Sequence, residues 1–287
     1  MTQSAPKGVL YVIATPIGNL EDITFRAVRV LREADLIACE DTRQTRKLLD
    51  HYSISGKVIS YHEHNEQARA EELVQRLREG AAVAQVSDAG MPGISDPGYR
   101  LITLAIQSGI TVVPIPGPAA VITALAASGL PTDAFEFRGF LPAKSGQRRT
   151  ALENLKHIEH TAIFYEAPHR IREALADIVQ VLGPQRKIVI ARELTKIHEE
   201  FLRGSAGELL EMANQRELKG EITLLVGKAE SDQQVTAATD LRTRLQQLMA
   251  EQHLDEKAAM KLLAKETGLS RSAVYRELQR TLSRDKK

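Results

Sequence analysis

At 287 residues and 43 % hydrophobic content, the chain is long enough for two domains of ordinary size with real cores. Its one cysteine, Cys39, follows the apolar run Leu36-Ile37-Ala38, which excludes a disulfide framework or a cysteine metal cluster and suits a reducing cytoplasm; no apolar run nears the roughly 20 residues of a membrane span, and the N-terminus lacks the pattern of a signal peptide. The net charge of +1 hides an asymmetry: from Leu241 onward eleven Lys and Arg stand against six Asp and Glu, a local excess of +5 that leaves −4 for the rest.

In chain order, apolar runs and helical periods predict a strand over 9–14, a helix over 22–34, a strand over 36–40, a helix over 42–52 and a strand over 57–62. A helix over 65–79, a strand over 82–86, a helix over 99–108 and a strand over 111–115 follow. Continuous apolar strands alternating with helices are the pattern of βαβ units around a sheet buried on both faces, and such sheets take ligands at the carboxyl ends of their strands. "GPAAVITALAASG", residues 117–129, is apolar nearly all round and predicts a helix buried where two blocks meet. The theme repeats with strands at 135–140, 161–165, 187–192 and 221–226 and helices at 147–156, 170–182 and 207–215. After Val226 the polar "GKAESDQQVTAATD" reads as a linker. The chain thus divides into an α/β domain over 1–117, a second over 118–228, a linker over 229–240 and a basic helical tail over 241–287.

Three predicted strands end in loops rich in Pro and Gly: "TPIGNLED" from Thr15, "SDAGMPGISDPG" from Ser87 and "PIPGPAA" from Pro114. In the second, Gly90, Gly93 and Gly98 permit positive φ and close ligand approach, Pro92 and Pro97 stiffen the path, and Asp88 and Asp96 can cap turns or accept hydrogen bonds. Alone, each loop reads as a tight turn before a helix; three at one edge of a sheet imply a shared rim. None contains GxGxxG or GxxxxGK[ST], so the usual dinucleotide and triphosphate cradles have no support. "YHEHNE" puts His62 and His64 on one face of an extended segment without a third ligand nearby, so it reads as a polar loop and no metal site is expected.

In the tail, Asp255 can cap a helix running to about Glu266, Gly268 supplies a turn, and Ser270 caps a second helix that turns Val274 and Leu278 inward. The spacing of Ala264, Gly268 and Val274 resembles a helix-turn-helix, leaving Arg271, Ser272, Tyr275 and Arg276 outward for nucleic acid. A small helical packing module is the plainer alternative. "LPAKSGQRR" holds Lys144, Arg148 and Arg149 after a strand end, either as solvated surface or as a track for a phosphate backbone, and Arg170 of "APHRI" could contact RNA phosphate or a partner subunit.

Taken together, "YVIATPIGNLEDIT", "ACEDTRQTRKLL", "SDAGMPGISDPG", "PIPGPAAVITALAASGLP", "FYEAPHRI" and "ARELTKIHEE" resemble the tetrapyrrole methylase superfamily from Val9 to about Lys228, and more narrowly its members that methylate small-subunit ribosomal RNA. The resemblance implies two α/β domains with an S-adenosylmethionine cleft between them, a cytoplasmic homodimer, and methylation of the ribose 2'-hydroxyl of a cytidine in the decoding region of 16S ribosomal RNA, in the small ribosomal subunit. It assigns the cofactor to Pro16, Asp88, Met91, Ile94, Ser95, Asp96, Ala119 and Ala120 on the first domain's side, and to Tyr165, Pro168, Leu194, Ile222 and Thr223 on the second. Where porphyrin-modifying relatives carry a Gly-Pro-Gly-Asp turn, this chain reads Thr15-Pro16-Ile17-Gly18-Asn19, which weakens the case for a tetrapyrrole. Two rivals stay open: a methyltransferase of the same fold acting on a tetrapyrrole or a protein side chain, and a cofactor-sensing DNA-binding regulator.

Methyl transfer from a sulfonium is an in-line displacement, so the protein must hold donor and acceptor aligned. A ribose hydroxyl also needs a base, or a cation that favours its alkoxide. Glu193 and Lys196 in "ARELTKIHEE" and Arg43 in "CEDTRQTRK" are the candidates, each beyond a strand end. Glu193 with Lys196 reads equally well as a surface ion pair worth under about 1 kcal/mol.

Overall fold

The computed structural model describes residues 8–229, 241–252, 254–267 and 274. The chain separates into two compact units, Met1–Lys228 and Ala229–Lys287.

Within the first unit, β1 (Val9–Ile13), β2 (Leu36–Cys39), β3 (Val58–Ser60), β4 (Ala82–Val86) and β5 (Thr111–Ile115) form an all-parallel sheet in the order β3-β2-β4-β1-β5. The central strands β1, β2 and β4 are largely buried on both faces because, Gln85 apart, their side chains are apolar or aromatic. Ile13, Ile37 and Val86 face α1 (Phe25–Glu33) and α2 (Thr42–His51), while Leu10, Val12 and Val83 face α3 (Glu66–Arg78) and α4 (Tyr99–Gln107). The neighbouring strands β1 and β4 therefore send their connections to opposite faces, the arrangement that opens a crevice at the carboxyl edge. The helix expected from residue 22 starts only at Phe25. Leu20–Asp22 form a separate 3₁₀ turn, and the Thr24 hydroxyl caps α1 by accepting from the Ala27 N–H at 3.1 Å.

The second sheet is not the parallel repeat the sequence suggested. Strands β6 (Phe135–Phe140), β7 (Thr161–Glu166), β8 (Lys187–Arg192), β9 (Glu200–Ser205) and β10 (Ile222–Val226) lie in the order β6-β7-β10-β8-β9, and only β6 and β7 pair in parallel. The unexpected strand is β9, an edge strand of half-buried residues with no alternation to reveal it. Three helices, α6 (Ser145–Glu153), α7 (Ile171–Leu182) and α8 (Ala206–Gln215), cover one face. Against the other packs α5 (Ala120–Ser128), with Val121, Ala124 and Leu125 on Ile163, Val189 and Leu225. Though α5 is apolar all round, only one side is covered, and Ile122 is 53 % exposed. Ile17, from the loop after β1, joins this second core and ties the first sheet's rim to the second sheet.

The second unit contains α9 (Leu241–Gln252), which the sequence reading did not mark, and α10 (Glu256–Thr267), which it did. Leu245, Leu248, Ala259, Leu263, Ala264 and Val274 form its small core. Asp255 caps α10 by accepting from the Ala258 N–H at 2.8 Å. Gly268, Ser270, Arg271, Ser272, Tyr275, Arg276 and Leu278 lie outside the described residues. Among the described residues no helix is long and apolar enough to cross a membrane.

Candidate active site

At the carboxyl edge of the first sheet three loops are stitched together. Thr15 and Gly90 exchange backbone hydrogen bonds of 2.9 and 3.0 Å, and the Thr15 hydroxyl donates to the Ser87 carbonyl at 3.0 Å. Across the rim, the Asp88 carboxylate accepts from the Asp41 N–H at 3.1 Å, so the loops after β1, β2 and β4 form one surface. The 87–98 loop turns through Gly90, Gly93 and Gly98 at positive φ, and through Ser95 at φ 62°. At Gly98 there is no room for a side chain: a Cβ would collide with the Gln85 amide and lie 2.8 Å from the Gly93 nitrogen.

Electrostatically the rim crowds buried carboxyl groups together. Burial and then the nearby Glu40 carboxylate push Asp96 up to about 6, with Asp88 adding to the shift and the Ser87 hydroxyl offsetting part of it. Glu40 is raised too, by burial and by Asp88. Beneath the loop Gln85 is 1 % exposed, and neither its amide nitrogen nor its oxygen has a hydrogen-bond partner in the chain. A buried unpaired amide costs about 1–3 kcal/mol, which a ligand or a small loop shift can recover. Gln85 was not singled out from the sequence; a glutamine in an otherwise apolar strand was the available signal.

The second sheet supplies the opposite wall. A Cβ on Gly18 would lie 2.5 Å from Cγ of Lys196 and 2.9 Å from Oγ1 of Thr195, so the loop after β1 touches the turn after β8. Tyr165, at the end of β7, stacks edge-on against Phe137 at 4.8 Å and Phe140 at 5.7 Å. Burial raises its hydroxyl pKa, and the Asp96 carboxylate raises it further, which sets the 87–98 loop within electrostatic reach of β7.

The turn after β8 holds two of the expected catalytic side chains. Glu193 (φ 52°) and Thr195 (φ 65°) both adopt left-handed backbone. The Glu193 carboxylate accepts from the Glu221 N–H at 3.0 Å and from Lys196 Nζ at 2.9 Å, and these bonds hold it below the ordinary carboxylate range. Lys196 also reaches Glu221 at 3.2 Å, and its two carboxylate partners raise its pKa against the opposing effect of burial. Arg43 stands apart from this pair: it is bound to Asp41 at 2.7 Å, and its side chain is 87 % exposed.

Of the residues assigned to the cofactor, Asp88, Ser95 and Asp96 line the first rim, with Pro16, Met91, Ala119 and Ala120 half-buried and Ile94 and Pro168 exposed. Leu194 is buried in the core shared by α5 and Ile17, and Thr223 pairs with Tyr165 in the sheet. Ile222 departs from the assignment. Side chains alternate along β10, and that of Ile222 lies in the core under α6–α8, on the face away from α5, so only its backbone could meet a ligand near Thr223.

Two RNA candidates are corrected. Arg148 is 1 % exposed, because Asp177 holds it at 2.7 Å while its guanidinium donates to the Ala143 carbonyl at 3.1 Å, so it braces α6 and is closed to RNA. Arg170 is turned inward to the Leu141 carbonyl and to Glu166 at 3.2 Å. Arg149 is half-exposed but bound to Asp177 at 2.6 Å, and Lys144 is exposed at the start of α6. The cations of "LPAKSGQRR" had looked like one surface run because nothing in the sequence pointed to Asp177, about thirty positions on. Among the described residues no group of His, Cys, Asp and Glu is arranged to hold a metal ion.

The profile of the Tetrapyrrole (Corrin/Porphyrin) Methylases matches residues 9–210. The chain belongs to the tetrapyrrole methylase family. Among curated relatives, "Ribosomal RNA small subunit methyltransferase I" of Halalkalibacterium halodurans is 56 % identical over 224 residues, 78 % of this chain and 77 % of that one. The protein of the same name from Vibrio cholerae is 49 % identical over 279 residues, 96 % of each chain. Solved tetrapyrrole methylase folds align as well: uroporphyrin-III-C-methyltransferase from Thermus thermophilus has a TM-score of 0.54 and 19 % identity, covering 77 % of this chain and 94 % of its own. Diphthine synthase has a TM-score of 0.59 and 13 % identity, covering 77 % and 90 %. At those identities the likeness is one of fold, and the expected pair of α/β layers of tetrapyrrole methylase type is the fold observed.

Proposed function

We propose that this chain transfers a methyl group from S-adenosylmethionine to small-subunit ribosomal RNA, at the ribose 2'-hydroxyl of a cytidine in the decoding region. The observation that carries the donor half is the charge of the rim: Asp96 and Glu40, both raised by burial and by other carboxylates, form a setting that a cationic ligand stabilises. A sulfonium donor with an α-ammonium group fits it, and the unpaired Gln85 amide and the left-handed Ser95 backbone lie at the same loop. When bound, the donor supplies an electrophilic methyl group. Asp88, Ser95 and Asp96 would hold it from one side and Tyr165 and Thr223 from the other, with Met91 and Ala120 as apolar contacts. The acceptor half rests on relatives 49–56 % identical whose names state that they methylate small-subunit ribosomal RNA.

Within this reading Lys196 is the cation that favours the alkoxide. Paired with Glu193 and Glu221, it stays charged throughout the neutral range. Glu193, held below its usual pKa, is a poor base and acts by positioning that ammonium. Arg43 and Lys144, both exposed, serve the RNA backbone, joined by the basic tail with Arg271, Tyr275 and Arg276. A homodimer in the cytoplasm completes the reading. The test is methyl transfer from labelled S-adenosylmethionine to small subunits purified from cells lacking this protein, followed by nuclease mapping. Label on one cytidine ribose supports the reading, and donor binding without transfer to RNA overturns it.

A further inference from the structure

The turn between β8 and β9 is more heavily braced than its length requires. Glu193 N–H donates to the Glu221 carbonyl at 2.9 Å, Lys196 N–H to the Glu193 carbonyl at 3.0 Å, and Thr195 N–H to the Glu199 carboxylate at 2.6 Å. Arg192 closes the far side by donating to the His198 carbonyl at 3.2 Å. These bonds keep two non-glycine residues, one of them β-branched, in left-handed backbone, and such strain persists only where surroundings over-determine it. The side chains of Arg192, Glu193, Lys196 and Glu199 are tied into this frame, while at the tip Ile197 is 97 % exposed and its polar neighbour His198 is exposed beside it. Phe25 is equally exposed, but it opens α1 on an ordinary capped turn, with no comparable frame around it. The braced turn also touches Gly18 through Lys196 and Thr195, so its tip stands at the rim where the first-sheet loops converge.

Resting on the function proposed above, we infer that Ile197 is a substrate-contacting residue, the rigid apolar tip against which an unstacked base of the RNA packs beside the reacting nucleotide. An RNA base offers an apolar face once it leaves the stack, and aliphatic wedges are a known physical means of holding one out. A rigid presenter suits this role, because a tip ordered before binding loses little entropy when it docks.

The test compares wild type with Ile197→Ala, Ile197→Leu and Ile197→Asp in methyl transfer to small subunits purified from cells lacking this protein, alongside donor affinity by calorimetry and sedimentation of the free protein. Cutting an aliphatic side chain that binding buries should raise KM for the subunit about ten- to hundredfold in Ile197→Ala. The kcat at saturating subunit, the donor affinity and the melting temperature should hold, and Ile197→Leu should restore KM. An unchanged KM in Ile197→Ala overturns the assignment, as does a KM rise matched by weaker donor binding. Loss of dimer in Ile197→Asp overturns it in favour of an interface between copies. If wild type binds donor but methylates no RNA, the functional reading fails and the inference falls with it, an outcome distinct from a variant that merely equals wild type.

Discussion

The two walls of the site reach rigidity by opposite means. The 87–98 loop takes its shape from residue types, with three glycines at positive φ and two prolines, and needs few side-chain bonds to hold it. The 193–199 turn has neither residue, yet carries two left-handed residues held by carboxylates, an ammonium and a guanidinium. A loop fixed by backbone preference should fail when a side chain is added, and one fixed by bonds should fail when a side chain is removed. The largest effect is expected from the first kind of change. Gly98→Ala introduces a Cβ at φ 154° that meets the Gln85 amide and the Gly93 nitrogen, and should cost about 3 kcal/mol in denaturant unfolding. Gln85→Ala should recover part of that loss, since the two changes share one contact, whereas strict additivity would show that the strain is in the backbone alone.

On the other wall the complementary change is Glu193→Ala. It leaves the Glu221 N–H and the Lys196 ammonium without their shared acceptor, and should cost about 2 kcal/mol. The Lys196 pKa should fall as well, because Glu193 is the first of the partners that raise it against burial. Titration of Lys196 by nuclear magnetic resonance checks this, and an unmoved value would show that Glu221 alone sustains the ammonium.

This contrast explains what was legible. The first sheet could be read strand by strand because parallel strands buried on both faces are continuous apolar runs, and its rim could be read because Gly and Pro announce turns. The second wall could be read only in part: its strands β7, β8 and β10 and the Glu193–Lys196 pair were legible, but not what surrounds them. Edge strand β9 has no alternation, and the turn before it is held by partners such as Glu221, nearly thirty positions from Glu193, that no local pattern links to it. The same blindness made Arg148 look like a surface cation when Asp177 holds it inside. The resemblance assigned Ile222 together with Thr223, but alternation along β10 sends their side chains to opposite faces.

A pH measurement separates the 87–98 loop from the 193–199 turn further, because the loop carries a carboxyl group raised toward neutrality, whereas Glu193 on the turn is held below its usual range. Asp96 has a folded pKa of about 6 against an ordinary value of 3.8, so the folded state holds its proton more tightly, and stability without ligand should fall as pH rises from about 4 through about 6. Donor affinity should run the other way, since a cation prefers the ionised carboxyl. It should strengthen about tenfold between pH 5 and pH 7 in wild type and stay flat in Asp96→Asn. The Lys196 pair titrates outside this window, so Lys196→Met should leave the slope intact. A slope that survives Asp96→Asn would move the titrating group to Glu40.

The smallest effect has the sharpest meaning. Thr195 is β-branched at φ 65°, and its hydroxyl is buried without a partner, while the bond that matters for the turn comes from its backbone N–H to Glu199. Thr195→Gly relieves left-handed strain of about 1–2 kcal/mol and removes the unpaired hydroxyl, against roughly 0.5–1 kcal/mol of extra chain entropy, so the variant should be more stable by about 1 kcal/mol. Gly18 packs on this residue, however, and a smaller, looser neighbour would let the tip of the turn wander relative to the first-sheet rim. Thr195→Gly should therefore gain melting temperature and lose methyl transfer to the subunit, with donor affinity unchanged. Stability and activity rising together would mean that the strain serves no purpose at the site. Their divergence would mean that the turn is held under strain to keep its tip and Lys196 in place, a role that glycines fill at three of the four left-handed positions of the other wall.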